Sequence, residues 1–432
     1  MKARVPFASH PASAAQGAPA WRRAALLVLL AVGAASVTGC GGDTQKIWQS
    51  GIPVRPTPFA VAITDLNGDS LPDIVVTEYE AASVSVIPNM GGSRWGARVD
   101  IKLPLDFAAH LAVGDFNGDG HPDVVVEGES LVMLIGDGHG GLGNPARLAG
   151  GVGLRDITEV DLNGDGHPDI VGLLGGEYGG AGSVGVLLGN GDGTFKAPTF
   201  YDCGNSPASL AVADLNRDRH PDVVATGDDY SGGVNVFLGR GDGTFEPRQI
   251  NSMTVAWAPA PCAIADLDGD GNPDLAIGGL FEVWVLKGNG HGGFDPPAHV
   301  DAGNGPVAIL AGDFNRDGYQ DVLVTNFGMF TGDGVIAGHT VSILPGKGDG
   351  TFGPKLLFQV GWEPRDLAVA DLNQDGVPDL VVANERSSSV TILLGTGGAS
   401  MFRSCPEALP AGRWLLANAL PHHAAASARQ TP

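Results

Sequence analysis

Short β-branched runs alternate with polar turns along most of the chain. Seven of them, from DIVVTE at Asp73 to DLVVAN at Asp379, have the composition of buried strands. A second apolar run follows, for example SVGVLLG or GVNVFLG, and in four units it ends in a glycine-rich turn such as GNGDGTF at Gly189. A shorter polar segment then leads into the next strand, such as SLAVADL before Asn216. The pattern predicts repeated units of four strands.

An acidic nonapeptide precedes each of the seven buried runs. The copies read DLNGDSLPD at Asp65, DFNGDGHPD at Asp115, DLNGDGHPD at Asp161, DLNRDRHPD at Asp214, DLDGDGNPD at Asp266, DFNRDGYQD at Asp313 and DLNQDGVPD at Asp371. Their first aspartates are 50, 46, 53, 52, 47 and 58 residues apart. A loose period of this length indicates that each copy belongs to one supersecondary unit of a repeat protein.

The residue before the first aspartate is small in most copies. It is Gly114, Ala213, Ala265, Gly312 or Ala370 in five of them. Small side chains suit strands that crowd around a central axis, and seven four-stranded units predict an all-β, seven-bladed β-propeller. The last unit lacks an obvious fourth strand. We expect residues 47–56 to supply it, and the segment after Phe402 is the alternative.

Each nonapeptide concentrates the oxygen ligands that Ca²⁺ prefers. Carboxylate or amide oxygens stand at positions 1, 3 and 5, a sharp turn at position 6 suits glycine, and position 7 can contribute its backbone carbonyl. Since only that carbonyl would be used, the position-7 side chain is expected to point outward and to vary. An EF-hand needs glutamate at position 12, which here is Val126, Gly172, Ala225 or Ile277. The aspartate at position 9 must therefore close the site.

We predict up to seven structural Ca²⁺ ions, and metal-free polar turns are the alternative. The predicted ligands are Asp65, Asn67, Asp69, Leu71 and Asp73; Asp115, Asn117, Asp119, His121 and Asp123; Asp161, Asn163, Asp165, His167 and Asp169; Asp214, Asn216, Asp218, His220 and Asp222; Asp266, Asp268, Asp270, Asn272 and Asp274; Asp313, Asn315, Asp317, Tyr319 and Asp321; and Asp371, Asn373, Asp375, Val377 and Asp379. Ser70 and Arg219 replace the position-6 glycine, and Arg217 adds charge beside Arg219. We therefore expect the loop at Asp214 to bind calcium most weakly.

The net charge of −23 argues against a partner bound through phosphates, and so against nucleic acid. The loops contain 22 aspartates, and the fourteen positive charges of seven ions would bring the net charge to −9. We therefore attribute the acidity to metal sites rather than to an acidic tail.

The motif DxNxDGxxD between two strands, at a period near fifty residues, resembles the FG-GAP or VCBS-type repeat of integrin α-subunit propellers and of many bacterial exported proteins. The resemblance covers roughly residues 45–403, and its motif recurs seven times. It implies that the calcium loops share one face of the propeller and leave the opposite face for a ligand. We expect a non-enzymatic binding or adhesion module for protein or glycan ligands. The alternatives are a calcium-dependent lyase or hydrolase acting on polysaccharide, and a structural part of a larger envelope complex.

The candidate ligand-binding residues lie in the loops on that opposite face, which differ between units. Binding residues usually lie on variable loops that a rigid scaffold positions. The candidates are Glu78, Tyr79 and Glu80; Glu177 and Tyr178; Asp228, Asp229 and Tyr230; residues 326–339; Glu385 and Arg386; and Trp257 and Trp362. Aromatic side chains beside carboxylates suit a protein or a glycan.

The first forty residues indicate export. Arg22 and Arg23 precede an apolar run at residues 24–37 that is too short to span a bilayer and suits a signal-peptide core. The following VTGC, ending at Cys40, resembles the lipobox of bacterial lipoproteins, which implies acylation of this cysteine. A plain signal peptide with a chance cysteine is the alternative. We expect an exported protein that is lipid-anchored to the cell envelope, and Gly41 after the cysteine favours the outer membrane or cell surface.

The resulting organisation has four segments. They are a lipoprotein signal peptide at 1–39, the acylated cysteine with a short linker at 40–46, the propeller at 47–403 and a poorly ordered tail at 404–432. The remaining cysteines are Cys203, Cys262 and Cys405, which permit one disulfide with one free thiol, or no disulfide.

Overall fold

The computed structural model describes residues 51–148, 153–175, 181–205, 207–227, 233–251, 261–331, 334–398 and 400–404. These residues form 29 β-strands. Within them there is no helix long and apolar enough to cross a membrane. The predicted signal peptide, Cys40 and Cys405 lie outside the described residues.

The strands form seven antiparallel sheets. A short strand, β1 (Ile52–Pro53), comes first, and six four-stranded blades follow in chain order. Blade 1 contains β2 (Pro58–Thr64), β3 (Asp73–Glu78), β4 (Ser83–Ile87) and β5 (Val99–Lys102); blade 2 contains β6 (Leu111–Gly114), β7 (Asp123–Val126), β8 (Val132–Leu134) and β9 (Ala146–Arg147); blade 3 contains β10 (Arg155–Val160), β11 (Asp169–Gly175), β12 (Ala181–Leu187) and β13 (Thr199–Asn205). Blade 4 contains β14 (Pro207–Ala213), β15 (Asp222–Gly227), β16 (Val234–Phe237) and β17 (Gln249–Asn251); blade 5 contains β18 (Cys262–Ala265), β19 (Asp274–Gly278), β20 (Glu282–Leu286) and β21 (Ala298–Asp301); blade 6 contains β22 (Pro306–Gly312), β23 (Asp321–Thr331), β24 (Gly334–Leu344) and β25 (Leu356–Gln359). Blade 7 contains β26 (Pro364–Ala370), β27 (Asp379–Asn384), β28 (Ser389–Gly395) and a last strand, β29 (Phe402–Ser404).

The blades close into a ring through their innermost strands. Strand β2 contacts β6 on one side and β26 of the last blade on the other, and every other innermost strand contacts its two neighbours in the same way. This arrangement confirms the predicted seven-bladed β-propeller.

Two short segments share the position of the fourth strand in blade 7. Strand β1 pairs with the beginning of β28, where Ile52 lies opposite Val390. Strand β29 pairs with the end of β28, where Phe402 lies opposite Gly395. Both segments lie along the edge of β28 that β27 leaves open. The expected closing strand and its alternative therefore both contribute, and β29 extends one residue beyond the predicted propeller boundary at 403.

The second strand of each blade is buried because both of its faces pack against other blades. In β3, Ile74 and Val76 pack with Val381 of blade 7, whereas Val75 packs with Val124 of blade 2. Successive side chains of a strand point to opposite faces, so one β-branched run supplies two interfaces. Truncating one of these side chains, as in Ile74→Ala, is expected to cost roughly 2–5 kcal/mol.

Candidate functional site

The seven acidic loops each connect the innermost strand of a blade to its second strand. Their position-9 aspartate is fully buried in every copy. In blade 3 its two carboxylate oxygens accept amide hydrogens from Leu162, at 2.9 Å, and from Gly189 in the glycine turn, at 2.7 Å. The other six copies repeat both hydrogen bonds. This aspartate therefore joins the loop to the turn between the third and fourth strands.

Burial also changes the acidity of these aspartates. It raises the pKa of Asp222, Asp321 and Asp379 to about 6, although the two amide hydrogen bonds act in the opposite direction. A nearby cation would favour the ionised form of such a carboxyl group.

The other acidic and amide side chains of the loops are oriented by backbone amides. In every copy, the position-1 aspartate accepts the position-6 amide, the position-3 side chain accepts the position-5 amide, and the position-5 aspartate accepts the position-7 amide. These bonds hold the three oxygen-bearing side chains at positions 1, 3 and 5 in one tight turn.

The loop of blade 5 brings three carboxylates together. One oxygen each of Asp266, Asp268 and Asp274 lie within 4.8 Å of one another. The ammonium group of Lys287 lies 2.8 Å from Asp268 Oδ2. A convergent set of carboxylate oxygens fits a hard cation such as Ca²⁺. The other copies have asparagine at position 3, so an amide oxygen replaces the Asp268 carboxylate there.

The backbone of each loop is left-handed at two positions, whereas only position 6 was expected to need a sharp turn. Ser70 and Arg219 at position 6 have φ of 67° and 72°, which agrees with the glycine expected there. Position 4 is also left-handed, and Arg217, Arg316 and Gln374 adopt φ of 63°, 63° and 61° at this position. A non-glycine residue in this region costs about 1–2 kcal/mol. The loop at Asp214 carries this cost twice.

Arg217 reaches into the loop of the next blade. Its guanidinium Nη2 lies 3.5 Å from the carbonyl oxygen of Asp270. Gln374 makes the corresponding contact from blade 7 to blade 1, where its Nε2 donates to the Ser70 carbonyl at 2.9 Å. Position 4 therefore links neighbouring loops around the ring.

The position-7 side chains cover the second glycine of the glycine turn in the same blade. A Cβ atom on Gly191 would lie closer than 3.0 Å to the imidazole of His167, and one on Gly241 would meet His220 in the same way. Both glycines are left-handed, with φ of 72°. These side chains pack over a turn while they remain at least partly exposed, as Tyr319 does at 47%, and this packing was not part of the sequence expectation for position 7.

A cavity of about 270 Å³ lies at the opposite end of the innermost strands. All seven blades contribute to its wall, which is lined by Phe59, His110, Asp156, Ala208, Ser209, Leu210, Pro261, Cys262, Val307, Ala308, Ile309, Arg365 and Asp366. These residues stand just before or at the start of the innermost strands, whereas the acidic loops follow the ends of the same strands. The cavity is therefore the mouth of the central channel on the face opposite the loops.

Hydrogen bonds connect its polar side chains across blade boundaries. His110 Nδ1 lies 2.7 Å from Glu127 Oε2, and the amide of Asp156 donates to the same carboxylate oxygen at 3.1 Å. Asp156 Oδ2 in turn accepts the Leu210 amide at 2.7 Å. On the other side of the ring, Asp366 Oδ2 accepts the Val61 amide at 2.9 Å.

Burial and charge act against each other on His110. Burial alone would lower the pKa of its imidazole, but the charge of Glu127 and the hydrogen bond to it, together with Asp156 and Asp366, raise the pKa to about 9. The imidazole is therefore positively charged at neutral pH and donates from Nδ1 to Glu127. Burial raises the pKa of the Asp156 and Asp366 carboxyl groups.

A stack of rings and one guanidinium borders the cavity. The rings of Phe107 and Tyr79 are 4.9 Å apart and those of Tyr79 and Phe59 are 5.4 Å apart, both pairs nearly parallel. The Arg365 guanidinium carbon lies 4.3 Å from the Phe59 centroid and 5.4 Å from that of Phe327. Because Phe59 and Arg365 belong to both the stack and the wall, the stack adjoins the cavity.

The candidates proposed from the sequence have different environments. Glu78 is fully buried, and Ser83 and Ser85 donate to its carboxylate, so it does not face a ligand. Tyr79 belongs to the stack, Arg386 pairs with Glu363 at 3.3 Å, and Trp362 is 48% exposed and packs on His339.

The remaining candidates lie in a hairpin, at an exposed or an ion-paired position, or outside the described residues. The predicted excursion at 326–339 lies within the long hairpin of β23 and β24. Glu80 is exposed, and Glu385 lies 3.6 Å from Arg365. The residues outside the described ranges are Glu177, Tyr178, Asp228, Asp229, Tyr230 and Trp257. Cys203 and Cys262 are both buried free thiols.

Sequence reasoning missed His110, Asp156 and Asp366. All three stand five residues before the first aspartate of their loop, a position that holds Ala60, His110, Asp156, Ser209, Pro261, Ala308 and Asp366 around the ring. No residue type repeats there as a motif, so the repeat comparison gave no signal. Aligning the seven units on the loops and reading this column would have found them.

Comparison with known proteins agrees with this architecture. The family model of the FG-GAP-like repeat matches residues 65–126, 161–225, 214–277, 279–324 and 331–382. The chain belongs to this family, and its fold is that of a binding or adhesion type of module in general.

Two solved structures share the fold. One is an Agrocybe aegerita lectin described as recognising non-reducing terminal N-acetylglucosamine, with 22% identity, a TM-score of 0.50, and coverage of 77% of this chain and 87% of the lectin. The other is BBS1N in complex with ARL6DN, with 12% identity, a TM-score of 0.50, and coverage of 79% and 93%. No curated protein matches the chain.

Proposed function

We propose that this chain is a calcium-stabilised, non-enzymatic binding module whose protein or glycan ligand occupies the face opposite the acidic loops. The observation that carries the proposal is the cavity at the channel mouth. It combines two carboxylates, Asp156 and Asp366, with the cationic His110 and Arg365 and with an aromatic border. A concave site with a few converging polar groups is the usual form of a binding site.

Calcium would be held by the seven acidic loops. The side-chain oxygens at positions 1, 3, 5 and 9 are its proposed ligands, with the position-7 carbonyl, and the convergence of Asp266, Asp268 and Asp274 supports this assignment. The ion would supply positive charge between carboxylates that otherwise repel one another. Since the position-9 aspartate already joins the loop to the glycine turn, calcium in this position would stabilise each blade.

We also propose that the module is exported and anchored to the cell envelope through an acylated Cys40, with the outer membrane or cell surface as its location. The lipobox-like VTGC supports this assignment. Metabolic labelling with a radioactive fatty acid tests it: the wild-type chain should be labelled and a Cys40→Ala variant should not.

A binding screen tests the proposed function. The exported chain without its lipid is applied to arrays of glycans and of envelope proteins, in excess calcium and in excess chelator. We expect saturable binding that is strong with calcium and weak without it. Failure to bind any member of either array would refute the proposal.

An enzyme remains the second candidate because two carboxylates and a charged imidazole line one cavity. Asp156 and Asp366 could act as an acid and a base on a polysaccharide. However, one oxygen of each accepts a backbone amide, which fixes both groups in structural contacts. Release of reducing ends or of unsaturated products from a polysaccharide panel, abolished by Asp156→Asn, would favour the enzyme.

A further inference from the structure

We infer that the cavity at the channel mouth receives one uncharged sugar unit at the end of a glycan, an inference that rests on the proposed binding function. Its basis is the combination of donors, acceptors, size and enclosure in this one cavity, none of which depends on the acidic loops.

The wall presents hydrogen-bond donors and acceptors in equal measure. Asp156 and Asp366 are acceptors when ionised, Arg365 and the charged His110 are donors, and Ser209 can do both. A sugar hydroxyl donates one hydrogen bond and accepts others, so neighbouring hydroxyls can satisfy both kinds of group. His110 and Arg365 are already paired with Glu127 and Glu385, so the described wall residues offer no unpaired positive charge to an anionic ligand such as a glucuronide.

The size and enclosure of the cavity select a single ring that enters end-on. Its volume of about 270 Å³ is below the roughly 300–1,000 Å³ of sites for drug-sized ligands. Because residues of all seven blades surround it, a polymer cannot run across the floor of the cavity. A glycan must therefore insert its terminal unit.

The stack at the border provides a place for the next sugar unit. Phe59 and Arg365 are shared by the stack and the wall, and Tyr79 and Phe107 continue the stack away from it. Aromatic faces offer large apolar contact area with little loss of conformational entropy. Because Tyr79 and Phe59 are covered within the stack, a second ring would pack its apolar face on the outer face of Phe107 while the polar wall holds the terminal ring.

The test uses methyl glycosides of glucose, galactose, mannose and N-acetylglucosamine, with methyl glucuronide as the charged comparator. Binding to the calcium-loaded mature chain is measured by saturation-transfer NMR, and dissociation constants are obtained by titration. The variants are Asp366→Asn, which removes one acceptor charge, and Ala308→Phe, which fills the cavity. Asp301→Asn is the control, because this aspartate lies on the outermost strand of blade 5, with 78% side-chain exposure.

We expect at least one neutral glycoside to bind, and methyl glucuronide to bind at least tenfold more weakly. Loss of a hydrogen bond to a charged group should weaken binding by roughly tenfold or more in Asp366→Asn. Ala308→Phe should abolish binding, and Asp301→Asn should leave it unchanged. If the aspartate variant fails to fold, the filled-cavity variant decides the question.

Several results would overturn the inference. They are the absence of neutral glycoside binding by the wild type, binding that survives both cavity variants, and preference for the glucuronide. In each of these cases the proposed binding module still stands if the arrays find a ligand elsewhere on the surface. Only a failure to bind any ligand on the arrays would refute both the sugar site and the binding module.

Discussion

The buried carboxyl group of Glu78 should make the stability of the propeller depend on pH. Glu78 ends β3 and is fully buried, where Ser83 Oγ donates to it at 2.9 Å. Burial raises its pKa from 4.5 to about 7, although the serine hydrogen bonds act in the opposite direction. The folded protein therefore holds this proton more tightly than the unfolded chain does. Its stabilising contribution is complete below pH 4.5 and is lost as the pH rises through 7.

The size of the Glu78 pKa shift determines how much the unfolding free energy changes with pH. A difference of about 2.5 pKa units corresponds to roughly 3 kcal/mol of unfolding free energy. Replacing Glu78 by glutamine keeps the shape and removes the titration. We expect the Glu78→Gln variant to match the wild type near pH 4.5 and to exceed its stability above pH 7, by up to that amount less any weakened hydrogen bond.

Urea unfolding followed by tryptophan fluorescence, at several pH values in constant calcium, measures this difference. The control is Glu246→Gln, since Glu246 is exposed. Other titrating groups, including the position-9 aspartates, are present in both proteins, so the difference between the two profiles isolates Glu78. The assignment would be refuted if the unfolding free energies of the wild type and Glu78→Gln changed in parallel with pH. It would also be refuted if the wild type became more stable relative to the variant as the pH rises.

Three further predictions concern the acidic loops and their turns. Removing calcium with excess chelator should lower the melting temperature sharply, because seven sites at ten times their dissociation constant contribute roughly 10 kcal/mol; an unchanged melt in differential scanning calorimetry contradicts this. The loop at Asp214 should fill last in a calcium titration, and Arg217→Gly with Arg219→Gly should tighten its calcium binding because two positive charges beside the ion are removed; the same change should stabilise the folded loop by about 1–2 kcal/mol per left-handed residue, and filling of this site first would refute the ranking. Gly191→Ala should destabilise the protein through strain and through the clash with His167, and thermal melts should show a smaller loss when His167→Ala is already present; equal losses in both backgrounds would exclude the clash.

The repeated part of the fold could be predicted from the sequence because each unit contains the same pattern. An acidic turn and a β-branched run recur seven times and the glycine-rich turn recurs in four units, so an ambiguous copy can be interpreted from the others. Closure of blade 7 was only partly predictable, because β1 and β29 are two and three residues long and their shared edge depends on pairing across the whole ring.

The packing of the loops was also beyond sequence reasoning. Glycine at position 4 of four other copies is typical of a left-handed backbone, but Arg217 and Gln374 give no such signal in their own copies. His167 packs over Gly191, and the two residues are more than twenty positions apart in sequence. Such contacts become visible only when the hairpin is folded.

In the proposed function, the two faces of the ring divide stability from recognition, and the sequence repeat explains this division. On the loop face every blade places an aspartate on the same two amides, so a change in one copy weakens one blade and leaves the chemistry of that face intact. On the opposite face, the residues at the start of the innermost strands vary between blades, with one histidine, His110, and two aspartates, Asp156 and Asp366. A ring that closes around one axis brings these unlike residues into a single cavity. The proposed ligand site therefore lies where the units differ, and substitutions at those three positions are expected to change ligand choice before they change the fold.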